Sequence, residues 1–227
     1  MSQYDRSELV SLAKICQENG RHEDVISYMK EVIKMGTPLN FEERGMVFYS
    51  YNELVLPYVN SVIYCDDSRV EAKLQKEISQ KAKSETNRIC DEAIELLDSY
   101  WIKRDTNIEA VADYKCYRAM VLSYKAVNAS EQVRNTEISK AIKLNEEAYD
   151  FAVKNLSPAH PVTTFNAANF AVLQSLRLVS VDKALAVATE AYNKGLSHLH
   201  EIPEELKIQA EEWLDDLNYR IDYLKQQ

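Results

Sequence analysis

Few side chains in this sequence are spaced for covalent chemistry. Cys16, Cys65, Cys90 and Cys116 stand singly, without the short paired spacing of a metal or redox site; they read as small buried apolar residues in a reducing compartment. His198 and His200 are two residues apart, which on a helix turns their rings to different faces, and no cysteine stands near them. No nucleophile sits beside a base, and no Gly-rich loop is present to cradle a phosphate. The expectation is a protein that is not an enzyme and uses no metal and no cofactor. What remains is a surface for binding. Residues 50–65, SYNELVLPYVNSVIYC, carry one charge, Glu53, in a chain that is 28% charged. Phe48, Asn52, Val55, Leu56, Val59 and Ile63 fall on one helix face at i, i+3/i+4 and i+7 spacing. With Met120 and Val127 they would line a neutral trough, open to an amphipathic helix or an extended apolar peptide, or filled by the protein's own side chains.

The composition narrows the partners. A formal charge of −9 and a pI near 5.1 repel a phosphate backbone and leave no broad basic stripe, which argues against nucleic acid. The first residues have no apolar leader and no run of about eighteen apolar residues occurs, so no membrane association is expected and the protein is placed in the cytosol or nucleus. At 227 residues the chain can bury one substantial core.

The elements that must position the trough are helices. Only four Gly and five Pro punctuate the chain, and apolar residues recur at the helical period. Ser7 leads a stripe of Leu9, Val10, Leu12, Ala13 and Cys16 that stops at Asn19-Gly20. Val25, Ile26, Met29, Val32 and Ile33 form a second, ending at Gly36. A third helix is predicted from about Phe41 to Cys65, bent near Pro57 because proline removes one hydrogen bond and crowds the carbonyl of Glu53. A fourth, capped within 66–68, is predicted over 69–103 with a thinly apolar, exposed first half. Five more follow at 107–129, 132–155, 160–179, 181–199 and 203–225. The fold expected is all-α, nine antiparallel helices in a single domain over 1–227, with 1–66 carrying the N-terminal helices and 67–227 the remainder. DKALAVATEAYNKGL at 182–196 has the Ala/Tyr spacing of a tetratricopeptide helix, but no 34-residue self-similarity supports an array.

Three stretches carry a family resemblance. EERGMVFYSYNELV (42–55), SPAHPVTTFNAANFAVL (157–173) and SELVSLAKICQENGRHEDV (7–25) resemble, in order and spacing, segments of the 14-3-3 family, and the likeness runs nearly the full length. The last helix, LKIQAEEWLDDLNYRIDYL (206–224), departs from the family signature at most positions, which marks a divergent member. The resemblance implies a cup-shaped, dimeric, non-catalytic adaptor in signalling that binds segments of partner proteins, phosphorylated or not. It pairs either with itself or with a relative.

In family members a Lys, two Arg and a Tyr grip a phosphorylated residue, since planar guanidinium forks replace the water that a phosphate loses. The matching positions here are Asn52, Val59, Ser123 and Tyr124. Ile63 and Tyr58 replace further basic residues, so the implied cationic wall is neutral. Asn169 matches a residue that contacts peptide backbone and Val172 an apolar contact. Leu176 stands for a family Glu, and Asp216, Arg220 and Tyr223 for Leu, Asn and Leu. Read without the resemblance, Asn169 is as well explained as a core amide and Tyr124 as a core aromatic. Two functions stay open: binding with phosphate dependence weak or lost, and phosphopeptide binding by relocated cations, among which Arg220 is the foremost. For the dimer, the resemblance implies contacts through Ile15 and Ile78, with Arg21 facing Glu85 and Asp24 facing Lys81 of the second protomer.

Overall fold

The structure, a computed structural model, describes residues 4–64, 71–101 and 107–227. Cys65, the expected cap at 66–68 and residues 69, 70, 102 and 103 of the expected fourth helix lie outside the described residues. These hold nine α-helices and no strand: α1 Arg6–Glu18, α2 His22–Lys34, α3 Phe41–Ile63, α4 Ala72–Leu96, α5 Ile108–Val127, α6 Arg134–Asn155, α7 Pro161–Ser175, α8 Val181–His198 and α9 Glu204–Leu224. This is the all-α order expected, with helix ends displaced by a few residues.

The helices group into two compact units, residues 1–105 and 106–227. In the first, α1 packs on α2 and α3, α2 on α3, and α3 on α4; α4 thus groups with the helices before residue 66 rather than with those after it. Its core is the buried faces of these helices, among them Leu9, Ala13, Val25, Met29, Val32, Val47 and Tyr51. In the second, α5 packs on α6 and α7, α6 on α7, and α7, α8 and α9 on one another. Small residues permit close approach there: Ala167, Ala168 and Ala171 of α7 meet Ala184, Ala188 and Ala191 of α8 beside Leu217 and Ile221 of α9.

Local chemistry sets the helix starts. Asp5, two residues ahead of Ser7, caps α1: its carboxylate accepts from Glu8 N at 2.9 Å while Glu8 accepts from Asp5 N at 2.8 Å. Asn40 and Glu43 repeat this capping box at α3. Glu43 does a second job, since both of its oxygens accept from the Arg6 guanidinium, at 2.8 and 2.7 Å, tying the start of α1 to the start of α3. Helix α3 continues for six residues past Pro57, whose carbonyl accepts from the Ser61 hydroxyl at 2.7 Å. The expected fourth helix is shorter: the α pattern ends at Leu96 and a π-helical turn covers Leu97–Trp101. Its first half is exposed as expected, with Leu74 and Ile78 in solvent.

A charge network joins α2, α3 and α4. Glu92 accepts from Lys30 and, at 3.1 Å, from the Tyr51 hydroxyl, with Arg88 at 3.7 Å. Burial, and then the neighbouring Glu92 carboxylate, push the Tyr51 phenol well above its ordinary range. Burial likewise pushes Tyr149 up to about 12. An unfolded phenol titrates near 10, so above that pH the unfolded chain binds fewer protons than the folded one and stability falls as pH rises. The urea midpoint is therefore expected to drop between about pH 9 and about pH 11.5, and to drop less in Tyr51→Phe, which has one fewer raised phenol. A parallel decline in the two proteins would show that Tyr51 has no part in it.

Candidate functional site

Each unit contributes its own share of the candidate residues. On α3, Asn52 and Ile63 are half-buried and Val59 is fully buried. Within the second unit, Ser123 and Tyr124 on α5 and Asn169 on α7 are buried, Val172 is half-buried, and Leu176 closes the helix end in the core. On α9, Arg220 is half-buried and Tyr223 exposed.

The α5 face is explained by what its polar atoms reach. Ser123 has no exposed surface; its hydroxyl donates to the Ala119 carbonyl at 2.8 Å and accepts from Asn145 Nδ2 at 2.9 Å. Asn145, on α6, also donates to the Ala141 carbonyl at 2.8 Å. The hydroxyl is thus spent inside the protein, and its one proton is already given to a carbonyl. Two turns earlier on the same face, Cys116 Sγ accepts from Asn169 Nδ2 at 2.9 Å, which joins α5 to α7. Burial, outweighing the Asn169 hydrogen bond, holds the Cys116 thiol far above its usual range, so it is a neutral acceptor and not a nucleophile. Asn169 therefore has one amide hydrogen committed to sulfur.

Cations near these residues are engaged elsewhere. Arg220 Nε donates to Asp216 Oδ2 at 2.5 Å, one helical turn away, so its charge is neutralised on its own helix. Lys115, exposed on α5, lies over the Phe151 ring at 5.2 Å from the centroid. His198 Nδ1 sits 2.8 Å from the Lys194 carbonyl, and no group of three or more His, Cys, Asp or Glu side chains is gathered for a metal among the described residues.

The residues implied for the dimer are all on the first unit. Ile15 and Ile78 are 56% and 45% exposed. Arg21 is bonded to Asp24 at 2.6 Å and Glu85 to Arg88 at 2.9 Å within the chain, with Lys81 exposed. These pairs differ from the Arg21–Glu85 and Asp24–Lys81 pairs implied across two protomers.

Asn145 is the residue that sequence reasoning missed. Its signal was there: it stands at i+4 in a stripe whose other members, Ala141, Ala148 at i+7 and Ala152 at i+11, are alanines, and an amide on such a face demands partners.

The 14-3-3 protein family model matches residues 12–221 of the chain. The chain is 30% identical over 209 residues to 14-3-3 protein 2 of Entamoeba histolytica, covering 88% of this chain and 87% of that protein. It is 31% identical over 208 residues to 14-3-3 protein beta/alpha of Mus musculus and of Homo sapiens, covering 88% of this chain and 85% of each. With the nine-helix order and a match over most of its length, the chain belongs to the 14-3-3 family of adaptors that bind segments of partner proteins.

Proposed function

We propose that this chain is a dimeric, non-catalytic adaptor whose groove binds partner segments with little or no dependence on phosphate. One observation carries the reading. The positions matching the family's three cations hold Asn52, Val59 and Ser123, and Val59 and Ser123 have no exposed surface from which to meet a ligand. A phosphate brought from water to such a wall finds no guanidinium forks, and its desolvation is not recovered. On α7 the half-buried Val172 would contact the segment's apolar side chains, while Tyr124 and Asn169, both buried, support this wall from within. The Arg220–Asp216 pair weighs against a relocated clamp, because that cation would have to exchange a bonded carboxylate for the phosphate.

The test is a phosphoserine peptide and its unphosphorylated twin titrated against the full chain by calorimetry. The two are expected to differ by less than tenfold, about 1.4 kcal/mol. A larger preference for the phosphorylated form, lost in Arg220→Ala, would establish the relocated-cation reading in its place.

For the dimer, the exposed Ile15 and Ile78 supply apolar contact, and the ion pairs set register by exchanging partners on association. Exposed pairs contribute only about 0.2–1 kcal/mol each, so Lys81→Glu is expected to weaken association modestly and Lys81→Glu with Asp24→Lys to restore it. Sedimentation equilibrium gives the answer; an unmodified chain that stays monomeric at tens of micromolar removes the proposal.

A further inference from the structure

The solvent face of α9 has a composition that the groove reading does not use. Residues 208, 212, 215 and 219 share one side of the helix at 100° per residue, opposite the buried Ala210, Leu214, Leu217 and Ile221. That side presents Ile208 and Tyr219 at 71% and 72% exposure. Between these anchors lie Glu211, Glu212 and Asp215, all exposed. The cations of this helix are used up elsewhere: Lys207 is bonded to Glu204 at 2.5 Å and Arg220 to Asp216 at 2.5 Å. Among the described residues Glu211, Glu212 and Asp215 form no ion pair. Glu211 and Asp215 are four apart and Glu212 and Asp215 three apart, spacings at which like charges repel. They also lie in the middle of the helix, where the macrodipole offers acids no compensation. The helix thus keeps an uncompensated negative stripe flanked by two large exposed apolar side chains.

We propose that this face of α9 is a docking strip for a basic amphipathic helix of a partner protein. Its Lys or Arg side chains would meet Glu211, Glu212 and Asp215, and its apolar side would cover Ile208 and Tyr219. Charge complementarity selects that occupant: an acidic segment would add to a repulsion already present, and a purely apolar one would bury three carboxylates without partners. The tyrosine face adds a further attraction for a cation. From Ile208 to Tyr219 the helix rises about 16 Å, room for roughly three turns of a partner helix. The inference does not rest on the phosphate reading, and either can fail alone.

The experiment titrates the full chain with an 18-residue peptide of Lys and Leu in amphipathic helical order, and with the same peptide carrying Glu for Lys. The Lys peptide is expected to saturate at one per chain and the Glu peptide to show no binding. Glu212→Lys with Asp215→Lys is expected to weaken binding by about tenfold or more, and Tyr219→Ala, which leaves the charge unchanged, by about fivefold. The control, Glu131→Lys with Glu147→Lys, makes the same change in net charge at exposed positions on other elements and is expected to cost less than about twofold. Equal losses in the two double variants, an unchanged Tyr219→Ala, or binding that does not saturate would each overturn the proposal.

Discussion

Ser123→Arg is expected to lower the free energy of unfolding by about 3–5 kcal/mol, and to create no phosphopeptide binding. By the resemblance this position stands for a family arginine, so the substitution would restore a family residue. Yet Ser123 has no exposed surface here, and Asn145 Nδ2 lies 2.9 Å from its hydroxyl. A guanidinium at that site meets an amide donor where it needs an acceptor, and it buries a charge where a neutral hydroxyl stood. At about 2–4 °C per kcal/mol for a chain of this size, the melting temperature should fall by roughly 10 °C. Adding Asn145→Ala opens the space and removes the opposing donor, so the double variant should recover part of the loss. A single variant that melts with the parent and gains preference for a phosphoserine peptide would show that α5 can turn its face outward.

Arg6→Ala is expected to cost about 2–3 kcal/mol, slightly less than breaking a fully buried ion pair. Glu43 is the buried partner, with its side chain 3% exposed, whereas Arg6 is 33% exposed, so water reaches the pair from one side. Losing the guanidinium removes two hydrogen bonds and leaves the carboxylate with the backbone N–H of Asn40, at 3.0 Å, as its donor among those described above. Arg6→Lys should recover less than half of the loss, because an ammonium is a point donor and not a fork. Arg6→Ala with Glu43→Gln should be milder than Arg6→Ala alone, since the buried group is then neutral. Urea denaturation of the four proteins decides it. A loss in Arg6→Ala below about 1 kcal/mol would place this pair with ordinary surface ion pairs.

The sequence made the helices legible for a physical reason. With few glycines and prolines, each break stands out, and each apolar stripe between breaks has the helical period, as Val25, Ile26, Met29, Val32 and Ile33 do in α2. The π-helical turn after Leu96 was not legible, because Leu97 continues the apolar pattern and nothing in the residue types marks a one-residue slip. Of the site, the α5 face that holds both Cys116 and Ser123 could be read from spacing alone. The burial of Ser123 could not, since it depends on Asn145 of another helix, 22 residues further on. Arg220 stood foremost among the relocated cations, although Asp216 four residues earlier has the spacing of an ion pair, and the two are bonded.

Two of the bonds that tie α5 to its neighbours, Asn145 to Ser123 and Asn169 to Cys116, join neutral groups. Mobile ions screen charges at a Debye length of about 8 Å at physiological ionic strength, but they leave a buried amide-to-hydroxyl or amide-to-sulfur contact as it was. These two contacts are therefore indifferent to the ionic medium, whereas the acidic stripe on α9 is subject to it. A rise in salt concentration would loosen whatever rests on that stripe while the two neutral contacts of α5 keep their geometry, so the two surfaces differ in their response to ions.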